Sequence, residues 1–274
     1  MSWWGKIIGG TLGFVVGGPL GALLMGALGH NLDRGIEGLE RDENAGVWNK
    51  STWNKERTQS AFFTATFSVM GHIAKADGLV SRDEISMANH LMGSMDLTEE
   101  HRKVAMDLFA QGKAADFPFE AIMEQFRQEC SRNRNLMQMF VEMQLYAAYA
   151  DGHVHPKERV VLQRICSKLG YTAMDFQQLE QRVQAQFQFS GTGSARHASS
   201  QLSIDDAYKL LGLESSADDA QVKKAYRRMM NQHHPDKLAA KGLPEEMMKV
   251  ATEKTQEIKA AYERIKKSRE DLSL

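Results

Sequence analysis

The sequence predicts an all-α protein in three parts, on three observations. Apolar residues recur at helical spacing almost without a break from 56 to 187, an uncharged run from Ile7 to Leu28 precedes them, and a polar segment sets off a second periodic stretch, 203–274. No stretch alternates with period two, so no strand is expected. The 274 residues, 25% charged and 42% hydrophobic, are enough for one large or two modest cores and exclude a wholly disordered chain, a polytopic membrane protein and a fibre. Two cysteines, Cys130 and Cys166, exclude a disulfide scaffold and a four-cysteine zinc module, fit a reducing compartment, and are expected to pack as small hydrophobes on helices. The net charge of -1 conceals segregation: residues 1–29 carry only Lys6, 56–187 carry 14 basic and 17 acidic side chains, and 203–274 carry 14 and 13.

Residues 1–29 are expected to be a membrane anchor. From Ile7 to Leu28 a helix would rise about 33 Å against about 30 Å of bilayer hydrocarbon, and Trp3 and Trp4 suit the headgroup layer at its end. A cleaved signal peptide fits poorly, because its apolar core is shorter and follows a more basic leader. Gly9, Gly13, Gly17 and Gly21 recur every four residues, a spacing that lets two helices approach closely in lipid, so the ridge is a candidate homodimer contact. Arg34 and Arg41 lean weakly toward a cytoplasmic C-terminal side.

A polar connector, 30–55, leads into a helical domain over 56–187. Its stripes run Phe63, Phe67, Met70, Ala74; Ile85, Ala88, Met92, Met95; Val104, Leu108; Phe119, Ile122, Met123, Phe126; Leu136, Met139, Phe140, Met143, Ala147; Val161, Ile165, Leu169; and Phe176, Leu179, Val183, Phe187. Seven or eight helices are expected. The domain repeats itself internally: Ala-Lys-Ala-Asp-Gly-Leu-Val-Ser-Arg-Asp-Glu at 74–84 matches Ala-Tyr-Ala-Asp-Gly-His-Val-His-Pro-Lys-Glu at 148–158. Gly78 and Gly152 would end one helix in the left-handed region. Ser81 with Glu84 then forms a capping box, and in the second copy Pro156 opens a helix with Glu158 in the equivalent slot. Asp77, Glu84, Asp151 and Glu158 are thus accounted for as turn and cap residues, with divalent-cation binding the competing reading. His153 and His155 flank a turn, where a two-residue metal site would be weak. The repeat resembles the TerB-like, tellurite-resistance-associated domain, which implies an all-α interaction domain serving a client that the sequence does not name.

Residues 188–202 are short and polar, which predicts a flexible linker and a separate, tethered module over 203–274. In that module a short helix at 206–213 ends at Gly212, and a second helix, capped by Ser216 or its neighbours, starts with Asp218 and Asp219 in its first turn. Val222, Ala225, Tyr226, Met229 and His233 share its core face, while Lys223, Lys224, Arg227 and Arg228 form a compact positive face opposite, suited to an acidic surface or phosphates. Pro235 stops the helix and places His234-Pro235-Asp236 in a loop. A last helix begins at Pro244 and ends with Lys266, Lys267 and Arg269.

Tyr-x-x-Leu-Gly-Leu at 208–213, Lys-Lys-Ala-Tyr-Arg-Arg at 223–228, His-Pro-Asp at 234–236 and Glu-Ile-Lys-Ala-Ala-Tyr-Glu at 257–263 resemble, in order and spacing, the J domain of DnaJ-type co-chaperones. The resemblance implies docking on a DnaK-type, ATP-driven chaperone, with Lys223, Lys224, Arg227 and Arg228 as the docking face and His234, Pro235 and Asp236 as the trigger of ATP hydrolysis. The family's short fourth helix looks absent or truncated, and the Gly/Phe-rich and Cys-x-x-Cys regions are missing, so binding of general unfolded substrates is not expected. Together the three parts are similar to the membrane-anchored bacterial J-domain co-chaperones. That implies a single pass through the inner (cytoplasmic) membrane, N-terminus outside and both helical parts in the cytoplasm, where ATP is. No cofactor and no catalytic residue of the chain's own are expected. The alternative is a membrane-anchored interaction or metal-binding scaffold acting through the central domain. Nucleic-acid binding is disfavoured because the positive face sits on a nearly neutral module. An acid/base enzyme using His234 and Asp236 would lack a nucleophile and a pocket.

Overall fold

The computed structural model describes residues 17–32, 50–76, 92–93, 95, 97–149, 153–189 and 204–272, which form helices joined by turns and short irregular links. The helices are α1 (Gly18–Leu32), α2 (Lys50–Ala74), α3 (Glu99–Gly112), α4 (Phe119–Cys130), α5 (Arg134–Ala148), α6 (Pro156–Lys168), α7 (Ala173–Phe189), α8 (Ile204–Leu210), α9 (Asp219–His233), α10 (Pro235–Ala240) and α11 (Met248–Leu272), with a 3-10 turn at Glu245–Met247 before α11. The stripe containing Ile85 and Ala88, together with Asp77, Glu84 and Asp151, lies outside the described residues, as does nearly all of the linker.

Helix α2 is the axis of the central domain, with α1, α3, α4, α5 and α6 packed on it. It can be surrounded because its polar positions are small: Ser60, Thr64, Thr66 and Ser68 are fully buried alongside Phe62, Phe63 and Phe67. The hydroxyls of Ser60, Thr66 and Ser68 donate to carbonyls one turn back, at 3.0, 2.7 and 2.8 Å, which removes most of the cost of burying them. Phe62, Phe126 and Phe140 meet at the centre, Phe126 and Phe140 with centroids 4.3 Å apart. The second copy of the repeat is described at Glu158, whose carboxylate accepts from the backbone N–H of His155 at 2.9 Å while the His155 side chain accepts from that of Lys157. Pro156 is the first residue of α6, so Glu158 and His155 are cap residues there.

The anchor run differs from one continuous helix over 7–28. Helix α1 starts at Gly18, because Gly17 and Gly18 hold φ of +49° and +60°, the left-handed region that ends or begins helices. Leu20, Leu24, Ala27 and Leu28 are buried against α2, α3 and α4. The Gln125 side chain ties down the start of α1, accepting from Leu20 N–H and donating to the Gly17 carbonyl, both at 2.9 Å. Among the described residues no helix is long and apolar enough to cross a membrane. Of the glycine ridge, Gly9 and Gly13 lie outside the described residues and Gly21 is buried.

The C-terminal module has two cores. Ala207, Tyr208, Leu211, Val222, Ala225, Met229, Ile258, Ala261 and Ile265 form its own. Leu238, Leu243, Met247 and Ala251, after the His-Pro-Asp sequence, belong instead to the core of the central domain. The module is therefore seated on the central domain rather than standing apart on its tether.

Candidate functional site

The cap of helix α9, expected at Ser216 or its neighbours, lies two residues past Ser216. Asp218 is the N-cap: its carboxylate accepts from Gln221 N–H at 2.7 Å and Gln221 returns the bond to Asp218 N–H at 2.8 Å. Gly212, at φ +69°, closes α8, and Leu213 N–H reaches back to the Tyr208 carbonyl at 2.9 Å. Arg269 near the end of α11 bonds Tyr208 Oη at 2.9 Å and also Asp219 and the Ala217 carbonyl, joining α8, the start of α9 and α11. Its role was expected to be only that of a helix-end cation.

This frame fixes which way α9 faces. Val222, Ala225, Met229 and His233 are buried and Tyr226 half-buried, its ring 4.2 Å from that of Tyr262. Lys223, Lys224, Arg227 and Arg228 are exposed, so the four cations stand in water on one side. Arg228 also borders a polar cleft of about 610 Å³ at the junction with the central domain, which Arg134, Arg182 and Lys209 also line.

His234, Pro235 and Asp236 form a corner rather than an extended loop. His234, at φ -59° and ψ +123°, is the single non-helical residue between α9 and α10, and Pro235 is the first residue of α10. The His234 Nδ1 accepts from Asp236 N–H at 3.2 Å, which fixes the imidazole at the corner. Asp236 is exposed and His234 half-buried, so the acid side chain is open to a partner. The sequence-derived cations thus stand along the exposed side of the middle of α9, and the corner follows at its C-terminal end.

The support behind the corner is not apparent from local sequence. Glu142 of α5 is wholly buried, accepts from Gln138 Nε2 at 2.8 Å, lies 3.6 Å from His233 Nε2 and pairs with Lys254 of α11. Burial opposes the Glu142 carboxylate, but His233, Lys254 and Arg182 around it outweigh that and hold its pKa at about 2. Gln59 of α2 donates to the Leu243 carbonyl at 3.3 Å, and Asn133 to that of Lys241 at 2.9 Å. A glutamate and a glutamine, Glu142 and Gln138, one turn apart within the apolar stripe of α5 were the available signal. Cys130 and Cys166 are free and buried, and burial pushes the Cys166 thiol up to about 12, away from reactivity. Among the described residues no group of three or more His, Cys, Asp or Glu could hold a metal ion.

The comparisons with known proteins follow the same three parts. Residues 63–181 match the family described as Tellurite resistance protein TerB, 206–271 the DnaJ domain, and 1–42 the Co-chaperone DjlA transmembrane domain. The chain is 43% identical over 276 residues to the Co-chaperone protein DjlA of Photobacterium profundum, covering 97% of this chain and 99% of that one. It is 44% identical to the Vibrio cholerae protein of that name over 285 residues and 42% identical to that of Coxiella burnetii over 271, each covering 98% of this chain and 99% of the relative. No solved structure matches. An N-terminal anchor segment, a TerB domain and a DnaJ domain, matched over nearly the full length of these relatives, show that the chain belongs to the DjlA family of membrane-anchored co-chaperones.

Proposed function

We propose that the chain docks on a DnaK-type chaperone through Lys223, Lys224, Arg227 and Arg228 and stimulates its ATPase through His234, Pro235 and Asp236. The observation that carries the reading is the placement of four exposed cations on one side of α9, ending at a corner whose imidazole is bonded to Asp236 N–H and whose carboxylate is open to solvent. A positive face of this kind raises the encounter rate with an acidic surface and orients it, which brings the corner against the partner. The chemistry is the partner's; this chain binds and triggers. The partner consumes ATP, so the proposal includes a single-pass anchor with both helical parts in the cytoplasm and clients brought by the central domain.

The test is ATP hydrolysis by a purified DnaK-type chaperone with the full chain in detergent. The wild-type chain should stimulate it; His234→Gln should abolish stimulation with the far-ultraviolet circular dichroism unchanged. Lys223→Glu with Arg227→Glu should raise the half-saturating concentration and make it less sensitive to salt. Full stimulation by His234→Gln would overturn the trigger assignment.

A further inference from the structure

Four cations converge on the cleft at the junction of the two helical parts. Arg134 and Arg182 reach it from the central domain, Lys209 and Arg228 from the C-terminal module. Its volume of about 610 Å³ suits a small molecule, and the two acids that line it balance only half of that charge. One of them, Asp175, accepts from the N–H and hydroxyl of Thr172 at 2.8 and 2.7 Å, and the other, Glu214, is exposed. Among the described residues none of the four cations is ion-paired.

Arg182 is half-buried and poorly compensated. Its Nε donates to the Gln178 carbonyl at 3.2 Å, and its Nη1 to the Met229 thioether at 3.5 Å, a weak acceptor. Burial opposes its charge; Glu142 supports it, Arg228 opposes it again, and its pKa lies below the ordinary arginine value. The side chains of Arg182 and Arg228 meet at Gly212, where a Cβ would lie 3.5 Å from Arg182 Cδ and 3.8 Å from Arg228 Nη2. Two like charges drawn to one glycine repel each other unless an anion enters. Arg134 is held at the same cleft by Tyr171, lying 5.5 Å from the centre of its ring and accepting at its carbonyl from the Tyr171 hydroxyl at 3.3 Å. A lone carboxylate would satisfy one guanidinium, whereas linked phosphate groups offer several oxygens to three arginine forks and an ammonium in a small volume.

We propose that this cleft binds a small polyphosphate anion, a di- or triphosphate either free or carried on a nucleoside, which bridges the central domain and the C-terminal module. The site is built from both parts of the chain, so occupancy ties them together through the ligand's own charge.

The test is calorimetric titration of the full chain in detergent with sodium pyrophosphate. Saturable binding to a single site, weakened by added salt, is expected. Arg182→Gln should weaken it by about tenfold, the scale of one charge-assisted contact. Because Arg182 is half-buried, the exposed pair Arg134→Gln with Lys209→Gln decides if that variant misfolds, and should weaken binding by about tenfold or more. Hydrogen exchange of amides 209–214 and 228–232 should slow by about tenfold when the bound form outnumbers the free by that factor. A second titration, with ADP, separates the sources: binding at least as tight as that of pyrophosphate assigns the nucleotide, and exclusion of ADP assigns the free anion. No binding of either compound by the wild-type chain, wild-type affinity in the variants, or unchanged exchange at these amides would overturn the proposal. So would a glutamate-rich peptide that binds where neither phosphate compound does, since the cleft would then be a seat for an acidic chain.

Discussion

His233 and Glu257 sit near each other's shared neighbour Lys254, and their protonation is shifted in opposite directions. Burial pushes the His233 imidazole down to about 4 against the pull of Glu142, with Lys254 and Arg182 adding to the shift, so His233 is neutral at neutral pH. Burial pushes the Glu257 carboxyl up to about 7; Glu253 adds to the shift, while Lys254 and a bond from Gln186 oppose it. An unfolded histidine titrates near about 6.5, so between about 4 and 6.5 the unfolded chain binds a proton that His233 refuses in the fold, and stability falls as pH falls. Glu257 does the reverse: between about 4.5 and 7 the folded chain holds the extra proton, and stability rises as pH falls. Comparing His233→Gln with the wild type cancels the titrating groups that do not interact with His233, and Glu142, held at about 2, stays ionised across the range compared. From pH 6.5 to 5 the variant should gain stability relative to the wild type, by at most about 1.4 kcal/mol per pH unit. Denaturant midpoints at the two pH values measure it, and a difference that does not change with pH would show that His233 titrates normally.

At the scale of elements, α2 and α3 approach so closely that their backbones touch at two glycines. A Cβ on Gly71 would lie 2.0 Å from the Phe109 carbonyl oxygen, and one on Gly112 would lie 1.8 Å from that of Ser68. Alanine is the better helix former by about 1 kcal/mol, yet these neighbours are backbone atoms that cannot rotate away, and overpacking costs about 1–3 kcal/mol or more. Gly112→Ala should therefore lower the thermal midpoint, where an exposed helical glycine replaced by alanine would raise it; an unchanged or higher midpoint would show that the helices separate freely. This contact also marks how far sequence reasoning reaches. Helices α3 to α7 are legible because each buries one stripe, such as Phe119, Ile122, Met123 and Phe126 of α4. Helix α2 is less so, because Ser60, Thr64, Thr66 and Ser68 look like a solvent face and are buried. The basic face of α9 is legible because a helical wheel is a local property. Glu142 is not, since its meaning depends on His233 and Lys254, which only the tertiary packing brings to it.

For the whole molecule, the shared core constrains the membrane topology. Leu238, Leu243, Met247 and Ala251 pack with the central domain, so the central and DnaJ domains occupy one side of the bilayer together and a reporter on either locates both. The anchor is harder to place from geometry alone. Helix α1 has 15 residues and rises about 22 Å, short of about 30 Å of hydrocarbon, so a crossing must draw on residues before Gly17. In the structure the other half of the apolar run, Leu20, Leu24 and Leu28, is covered by the central domain, which keeps that domain against the end of the anchor. The ATP requirement of the proposed partner then chooses the side. A fluorescent protein that matures only in the cytoplasm, fused after Leu274, should be bright in bacterial cells, and alkaline phosphatase, which folds only outside it, should be inactive at the same position. Active phosphatase would put the exposed cations of α9 where ATP is absent, and would overturn both the topology and the proposed partner.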